Sequence, residues 1–339
     1  MPTPREVAGL KVVVALVFLL ELLDPAGQTQ TNVNDIHVVP RQVSPSMANA
    51  VASSKLVDGS LLHVVKTDVK LVLVPVTVTD PRQRLVTGLR AENFQLFEGK
   101  KAQEIRHFSS EDVPVSIGIV LDSSGSMRTK MSRVREAVNQ FCEAANPQDE
   151  FFMIEFSDVP RLATDFTSVP EELEKELLYT QPKGRTALLD AIYMGLHKMK
   201  DARYAKKALL IISDGGDNHS LYMEKDVKAA AQESDVMIYA IGTFDRYLPT
   251  PEEMRGPALL SEIAEPTGGR AFSLENEMEL PAVALHIGRE LRTQYVLGYR
   301  PEQMPRDGKW HKIEVKLRLP KKLAFLRAHA KTGYYAPAE

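Results

Sequence analysis

Cysteine is almost missing from this chain: Cys142 stands alone among 339 residues. A single thiol excludes an intrachain disulfide and a thiolate metal cluster. It falls in a segment with helical spacing of apolar residues, where it reads as a small buried hydrophobe. An excess of one charge is missing too. Lys and Arg number 42 against 45 Asp and Glu, a net charge of -3, so no basic face argues for a nucleic-acid partner. The apolar run Val12 to Leu20 falls well short of the roughly 20 residues that span a bilayer, and no membrane span is expected in the mature chain. The signatures H-E-x-x-H, G-x-S-x-G and G-x-x-x-x-G-K-[ST] are absent, and His219 lacks a second histidine at metal-ligand spacing.

What is present is an ordinary globular composition, 44% hydrophobic and 26% charged, with length for two or more folded units. Met1 to Gln30 has the order of an export signal. Arg5 and Lys11 form a basic flank, Val12 to Leu20 an apolar run, and Pro25-Ala26-Gly27 a small-residue stretch near a cleavage point. No lipobox cysteine follows, which excludes a lipoprotein. The expected divisions are a signal at 1–28, a linker or disordered arm at 29–66, a β segment at 67–112, an α/β unit at 113–291 and a second β segment at 292–339. In the first β segment, Val69 to Val78 alternates like a strand. Pro75 inside it argues for an edge position. Phe94 to Phe97 and Ala102 to Phe108 read as two strands joined by a turn at Glu98-Gly99-Lys100. At the C-terminus, Gln294 to Tyr299, Trp310 to Leu319, Leu323 to Ala330 and Gly333 to Tyr335 read as strands. Neither group has enough strands for a sheet of its own, so the two are expected to pair as one small β-sandwich.

Between them the rhythm is strand, helix, strand, the mark of a mainly parallel sheet covered on both faces. Val115 to Asp122, Glu150 to Phe156, Arg161 to Phe166, Ala208 to Ser213, Val236 to Gly242 and Arg270 to Ser273 are the expected strands. Lys130 to Ala145, Pro170 to Tyr179, Thr186 to Lys200, Glu224 to Ser234, Pro257 to Glu265 and Glu277 to Leu291 are the helices. The strand at Val115 stops at Asp122, and the sequence then reads D-S-S-G-S, with Asp122, Ser124 and Ser126 at alternate positions. Short oxygen donors spaced this way in a tight turn point to one centre and suit a hard cation. Two later stretches share that placement. Ala208 to Asp217 is a second apolar run ending in an acid, Asp214, and Thr186 stands at a helix start. Parallel strands end on the same sheet edge, where open α/β folds bind ligands, so these five residues are expected to converge.

The three ordered motifs resemble the von Willebrand factor A (VWA) domain and its metal-ion-dependent adhesion site over roughly Val113 to Glu290. The resemblance implies a doubly wound, Rossmann-like α/β fold. It also implies a site in which Ser124 and Ser126 sit directly on the metal and Asp122, Thr186 and Asp214 act directly or through water. The implied ion is Mg²⁺, with Mn²⁺ or Ca²⁺ as alternatives. The implied partner is a protein offering a Glu or Asp carboxylate. The flanks, with D-P-x-x-x-x-V-x-x-L-x-x-x-x-F at Asp80 to Phe94 and Q-Y-V-L-G-Y at Gln294 to Tyr299, resemble the VWFA-related domain family described from acidobacterial proteins. Asp190 reads as a first-turn helix acid. Asp217, Asn218 and His219 read as loop residues at the rim, and with Asp245 to Pro251 they shape specificity. Two competing readings stay open. One is a haloacid-dehalogenase-type phosphohydrolase, although Ser124 stands where its second aspartate would be. The other is a structural module whose metal braces the loops.

Overall fold

The computed structural model describes residues 71–214, 216–244, 251–301, 306–320 and 323–336. The export signal and arm expected before residue 67 lie outside the described residues, as does the loop 245–250. In chain order the strands are β1 Val72–Thr79, β2 Phe94–Glu98, β3 Lys101–Gln103, β4 His107–Ser109, β5 Val115–Asp122, β6 Glu150–Phe156, β7 Pro160–Thr167, β8 Lys206–Ser213, β9 Val236–Thr243, β10 Ala271–Leu274, β11 Tyr295–Tyr299, β12 Trp310–Leu317, β13 Arg327–Ala330 and β14 Gly333–Tyr335. The α-helices are α1 Met131–Glu143, α2 Pro170–Tyr179, α3 Leu188–Lys198, α4 Glu224–Glu233, α5 Pro251–Ala264 and α6 Leu280–Arg292.

Six strands form the central sheet in the order β10-β9-β8-β5-β6-β7, parallel except for the antiparallel β6–β7 pair. Strand β5 is buried at every position. Its side chains alternate between two cores. Ile117, Ile119 and Leu121 pack with Val134, Val138 and Phe141 of α1 and Ile287 and Leu291 of α6. Val120 faces the other way, with Leu188, Ile192 and Leu196 of α3, Val227 of α4 and Ile263 of α5. Cover on both faces is why these strands are continuous apolar runs and not alternating ones. The fold is the doubly wound α/β sheet expected. Gly118 marks a tight point in β5. A Cβ there would sit 2.5 Å from Leu209 Cδ2 and closer still to the Phe152 ring. Cys142 is half-buried against the α1 core, and burial pushes its thiol up to about 12, which leaves it unreactive.

The remaining strands form two antiparallel sheets, β13-β1-β11-β4 and β14-β12-β2-β3. Both interleave strands from before and after the central sheet: Val74 pairs with Leu297, and Leu96 with Val315. Between them lies a third core of Val74, Val76, Val78, Phe94, Leu96, Tyr295, Leu297, Tyr299 and Ile313, with the Phe94 and Tyr295 rings 5.1 Å apart.

Four sequence readings change here. Strand β1 is interior, not an edge strand. Partner β13 begins only at Val76, so at Pro75 the strand has a neighbour on the β11 side alone, and the missing N–H is tolerated there. Ala102 to Phe108 is not one strand but β3 and β4, which belong to different sheets; the chain crosses between sheets at Glu104–Arg106. The strand expected from Leu323 starts at Arg327. Helix α5 begins at Pro251, and Pro257, expected as its first residue, lies inside it. Pro251 takes the first-turn place where an absent N–H costs nothing.

Gly118→Ala should therefore destabilise by about 1–3 kcal/mol through overpacking. Chemical denaturation checks this, with Phe152→Leu in the same chain recovering part of the loss. A second test concerns His329, whose Nε2 lies 3.0 Å from Thr79 Oγ1. Burial, then the charges of Arg270 and Arg327, push its pKa down from 6.5 to about 4. Between those values the unfolded chain binds the proton and the folded chain does not, so stability falls as pH drops from about 6.5 towards 4. Thermal melts across that window should show the fall, and His329→Gln should flatten it.

Candidate metal centre

Strand order decides what meets at the carboxyl edge. β5 and β8 are neighbours, yet the chain leaves them towards opposite sides, β5 to β6 and β8 to β9. This is a topological switch point, where the strand-end loops part and leave a crevice. Asp122 closes β5 and Asp214 follows β8, and both are buried.

Asp122 is not the rim residue its loop-end position suggests. It is fully buried; its Oδ1 accepts the Ser124 N–H at 2.8 Å and its Oδ2 accepts the Ser213 hydroxyl at 2.6 Å. Burial, then the charge of Asp214, push its carboxyl up to about 7, against the hydrogen bonds from Ser124 and Ser213. Asp214 Oδ2 is buried with no hydrogen-bond partner. No described Lys or Arg pairs with either carboxylate.

The hydroxyls lie alongside. Ser124, extended at φ -68° and ψ 169°, precedes the 3-10 turn Gly125–Thr129, whose Met127 is fully buried and plugs the turn into the core. Ser124 Oγ and Ser126 Oγ are 3.1 Å apart. Thr186, buried, comes from the loop before α3, which is stitched to the Ser123–Gly125 turn by Lys183 N–H to Ser123 O at 2.9 Å and Gly125 N–H to Gly184 O at 3.2 Å. Gly184 has φ +78°, and a Cβ there would run into Asp158, so only glycine fits. The Asp214 loop is tied on from the other side. Asn218 Oδ1 accepts the Thr186 N–H at 3.0 Å, and the Thr186 carbonyl accepts the N–H groups of Asn218 and His219. The Thr186 hydroxyl bonds no other described residue.

The structure thus brings Asp122, Ser124 and Ser126 into direct contact, sets Asp214 against Asp122, and brings in Thr186 by its backbone. Asn218 clamps the Thr186 and Asp214 loops together, a role its sequence position did not disclose. Asp217 also reaches back to α3, accepting the Leu189 N–H at 3.3 Å and the Ser220 hydroxyl at 2.5 Å. Asp190, in the first turn of α3, accepts the N–H groups of Leu221 and Tyr222. The residues present fit a cation. Two buried carboxylates repel, one oxygen is orphaned, and two neutral hydroxyls are adjacent. Among the described residues, no three His, Cys, Asp or Glu side chains form a metal cluster, so an ion held here depends on hydroxyl donors.

Residues 117–216 match the family model of the von Willebrand factor type A domain. Over 139 residues the chain is 26% identical to inter-alpha-trypsin inhibitor heavy chain H4 of Bos taurus, over 36% of this chain and 15% of that protein's length. Among solved structures it is similar to a von Willebrand factor type A protein from Catenulispora acidiphila, with a TM-score of 0.48, 14% identity, and coverage of 80% of this chain and 64% of that one. It is also similar to the vWF domain of the type V pili tip protein Mfa5 from Porphyromonas gingivalis, with a TM-score of 0.43, 13% identity, and coverage of 52% and 95%. No helix among the described residues is long and apolar enough to cross a membrane. Residues 117–216 are thus similar to the von Willebrand factor type A domain, and they lie on the doubly wound sheet described above.

Proposed function

We propose that this chain is an exported, metal-dependent protein-binding module of the adhesion type, working in the periplasm or outside the cell. The observation that carries the metal reading is the pair of buried carboxylates, Asp122 and Asp214, the second with an unpartnered oxygen. Asp122, Ser124, Ser126, Thr186 and Asp214 would hold the ion. Mg²⁺, or Mn²⁺ or Ca²⁺ in its place, supplies a coordination position for a Glu or Asp carboxylate of a partner protein. Asp122 and Asp214 provide the negative charge, and the three hydroxyls add donors without adding charge. Asn218 and Gly184 keep the Thr186 loop in register with the Ser124 turn. Export rests on the basic flank and apolar run at Arg5 to Leu20, and N-terminal sequencing of the secreted protein tests it; a cytoplasmic product retaining Met1 would sink it.

Asp122→Asn keeps the volume and removes one of two repelling buried charges. At neutral pH the metal-free variant should melt no lower than the parent, yet lose the stabilisation by Mg²⁺. For the parent that stabilisation is about 2.7 kcal/mol at a hundredfold excess over Kd. Ser124→Ala should weaken Mg²⁺ binding at least roughly tenfold, about one lost charge-assisted contact. If calorimetry finds Mg²⁺ bound by Asp122→Asn as by the parent, the proposed site is wrong.

Asn218→Ala should leave the fold intact and lower Mg²⁺ affinity severalfold by freeing the Thr186 loop. Calorimetry beside a thermal melt separates that effect from unfolding.

A further inference from the structure

The rim of the site describes the partner further. Arg128, Lys183 and Arg185 are all exposed, and they come from two loops bonded to each other around the proposed ligands. Arg128, two residues after Ser126, donates from Nη2 to the Pro182 carbonyl at 3.3 Å. Lys183 donates its N–H to Ser123 O at 2.9 Å. Arg185 immediately precedes Thr186, and its Nη1 lies 3.4 Å from His219 Nδ1. Asp158, in the same cradle, turns its carboxylate to the Arg185 backbone N–H at 2.9 Å. None of the three cations pairs with a carboxylate among the described residues.

Several basic side chains elsewhere do form ion pairs. Arg161 pairs with Glu155 and Glu176, Lys228 with Glu224 and Glu262, Arg270 with Glu290, and Arg292 with Asp112 and Asp149. Beside the metal site, three exposed like charges stand on two loops bonded to each other, with the Asp158 carboxylate turned to a backbone N–H, an arrangement that favours an incoming anion.

We propose that the partner segment is polyacidic: one carboxylate goes to the metal, and neighbouring Asp or Glu residues are read by Arg128, Lys183 and Arg185. The inference rests on the metal-site reading for its first carboxylate. The rim cations supply selectivity and a salt-dependent gain, since exposed pairs are weak singly and screened within about 8 Å at physiological salt. A protein segment is favoured over a sulfated polysaccharide because a polyanion of that kind needs cations alone, whereas these surround a centre of buried acids and hydroxyls.

The test uses two fluorescein-labelled decapeptides and the full chain, read by anisotropy in Mg²⁺ and in chelator. One peptide carries a single Glu among Ser and Gly, and the other carries four Glu at alternate positions. The four-Glu peptide should bind about tenfold more tightly, with the advantage shrinking as salt rises. The combined Arg128→Ser, Lys183→Ser and Arg185→Ser variant should lose that advantage while binding Mg²⁺ as well as the parent. Arg128→Lys with Arg185→Lys should keep it, which separates charge from loop packing.

Equal affinity for the two peptides, or an advantage that survives the triple substitution, overturns the proposal. So does heparin binding that is tighter than the four-Glu peptide and indifferent to Mg²⁺. An advantage that persists in chelator and disappears in the triple variant supports the rim and removes the metal reading instead.

Discussion

Two carboxylates buried next to each other are the constraint around which the centre is arranged. Asp122 and Asp214 are set together by the strand order, because β5 and β8 are paired along their length and end together. Each lies in a region that excludes water, and the raised Asp122 carboxyl registers the conflict. A protein can settle such a conflict by protonation, by its own cation or by a bound one. No described lysine or arginine is aimed at the pair. Of the basic side chains of this edge, Lys130 is spent on the Thr243 carbonyl at 2.8 Å, while Arg128, Lys183 and Arg185 are exposed. The centre is built to be short of positive charge inside while its rim has charge to offer.

The antiparallel sheets are joined to the α/β unit by a buried polar cluster and not by apolar contact alone. Glu290 of α6 is fully buried, accepts from Arg270 at 3.0 Å and from the Tyr239 hydroxyl at 3.1 Å. Gln294 donates to Tyr239 at 3.1 Å and to Thr77 of β1 at 3.3 Å, and Arg270 also bonds Gln83. Such a cluster adds little net stability but is costly to break, since any half left behind is an unpaired buried charge. It therefore fixes how β1 and β11 seat against β9 and α6. His329, paired across from Thr77, bonded to the Thr79 hydroxyl and kept neutral by burial and then by Arg270, belongs to the same neighbourhood.

Much of this was legible from local pattern. Runs such as Ile117 to Leu121 and Leu209 to Ile212 announce strands covered on both faces, and the acids that end them mark the carboxyl edge. What escaped the sequence depended on partners distant along the chain. Pro75 looked like an edge signal because its sequence does not disclose that β13 pairs only from Val76 onward. The break between β3 and β4 is not marked in Ala102 to Phe108, where no glycine or proline shows that the chain changes sheets. Pro257 is a strong local start signal overruled by Pro251, six residues earlier. Asn218 looked like an ordinary polar loop residue; only the approach of the Thr186 loop gives its side chain an N–H to accept. Asp122 was readable as a donor but not as a buried one, because burial came from the loops folded over it.

That folding-over also explains why the donors alternate. Serine and threonine hydroxyls in turns ordinarily bond nearby main-chain groups, which would take them out of a site. Here other residues meet those main-chain needs. Ser123, between the alternating positions, gives both its N–H and its hydroxyl to Phe156 O, at 2.8 and 2.9 Å. The Ser124 N–H goes to Asp122, and the Thr186 N–H to Asn218. The hydroxyl of Ser124 then meets that of Ser126 and the Asp122 carboxylate, and that of Thr186 bonds no described residue. Ser123 and Ser124 are identical in chemistry and adjacent in sequence, yet one braces the main chain of β6 and the other lies against Asp122 and Ser126. Position divides them: Ser123 is turned to Phe156 of β6, while Ser124 leads into the 3-10 turn that carries Ser126 alongside it.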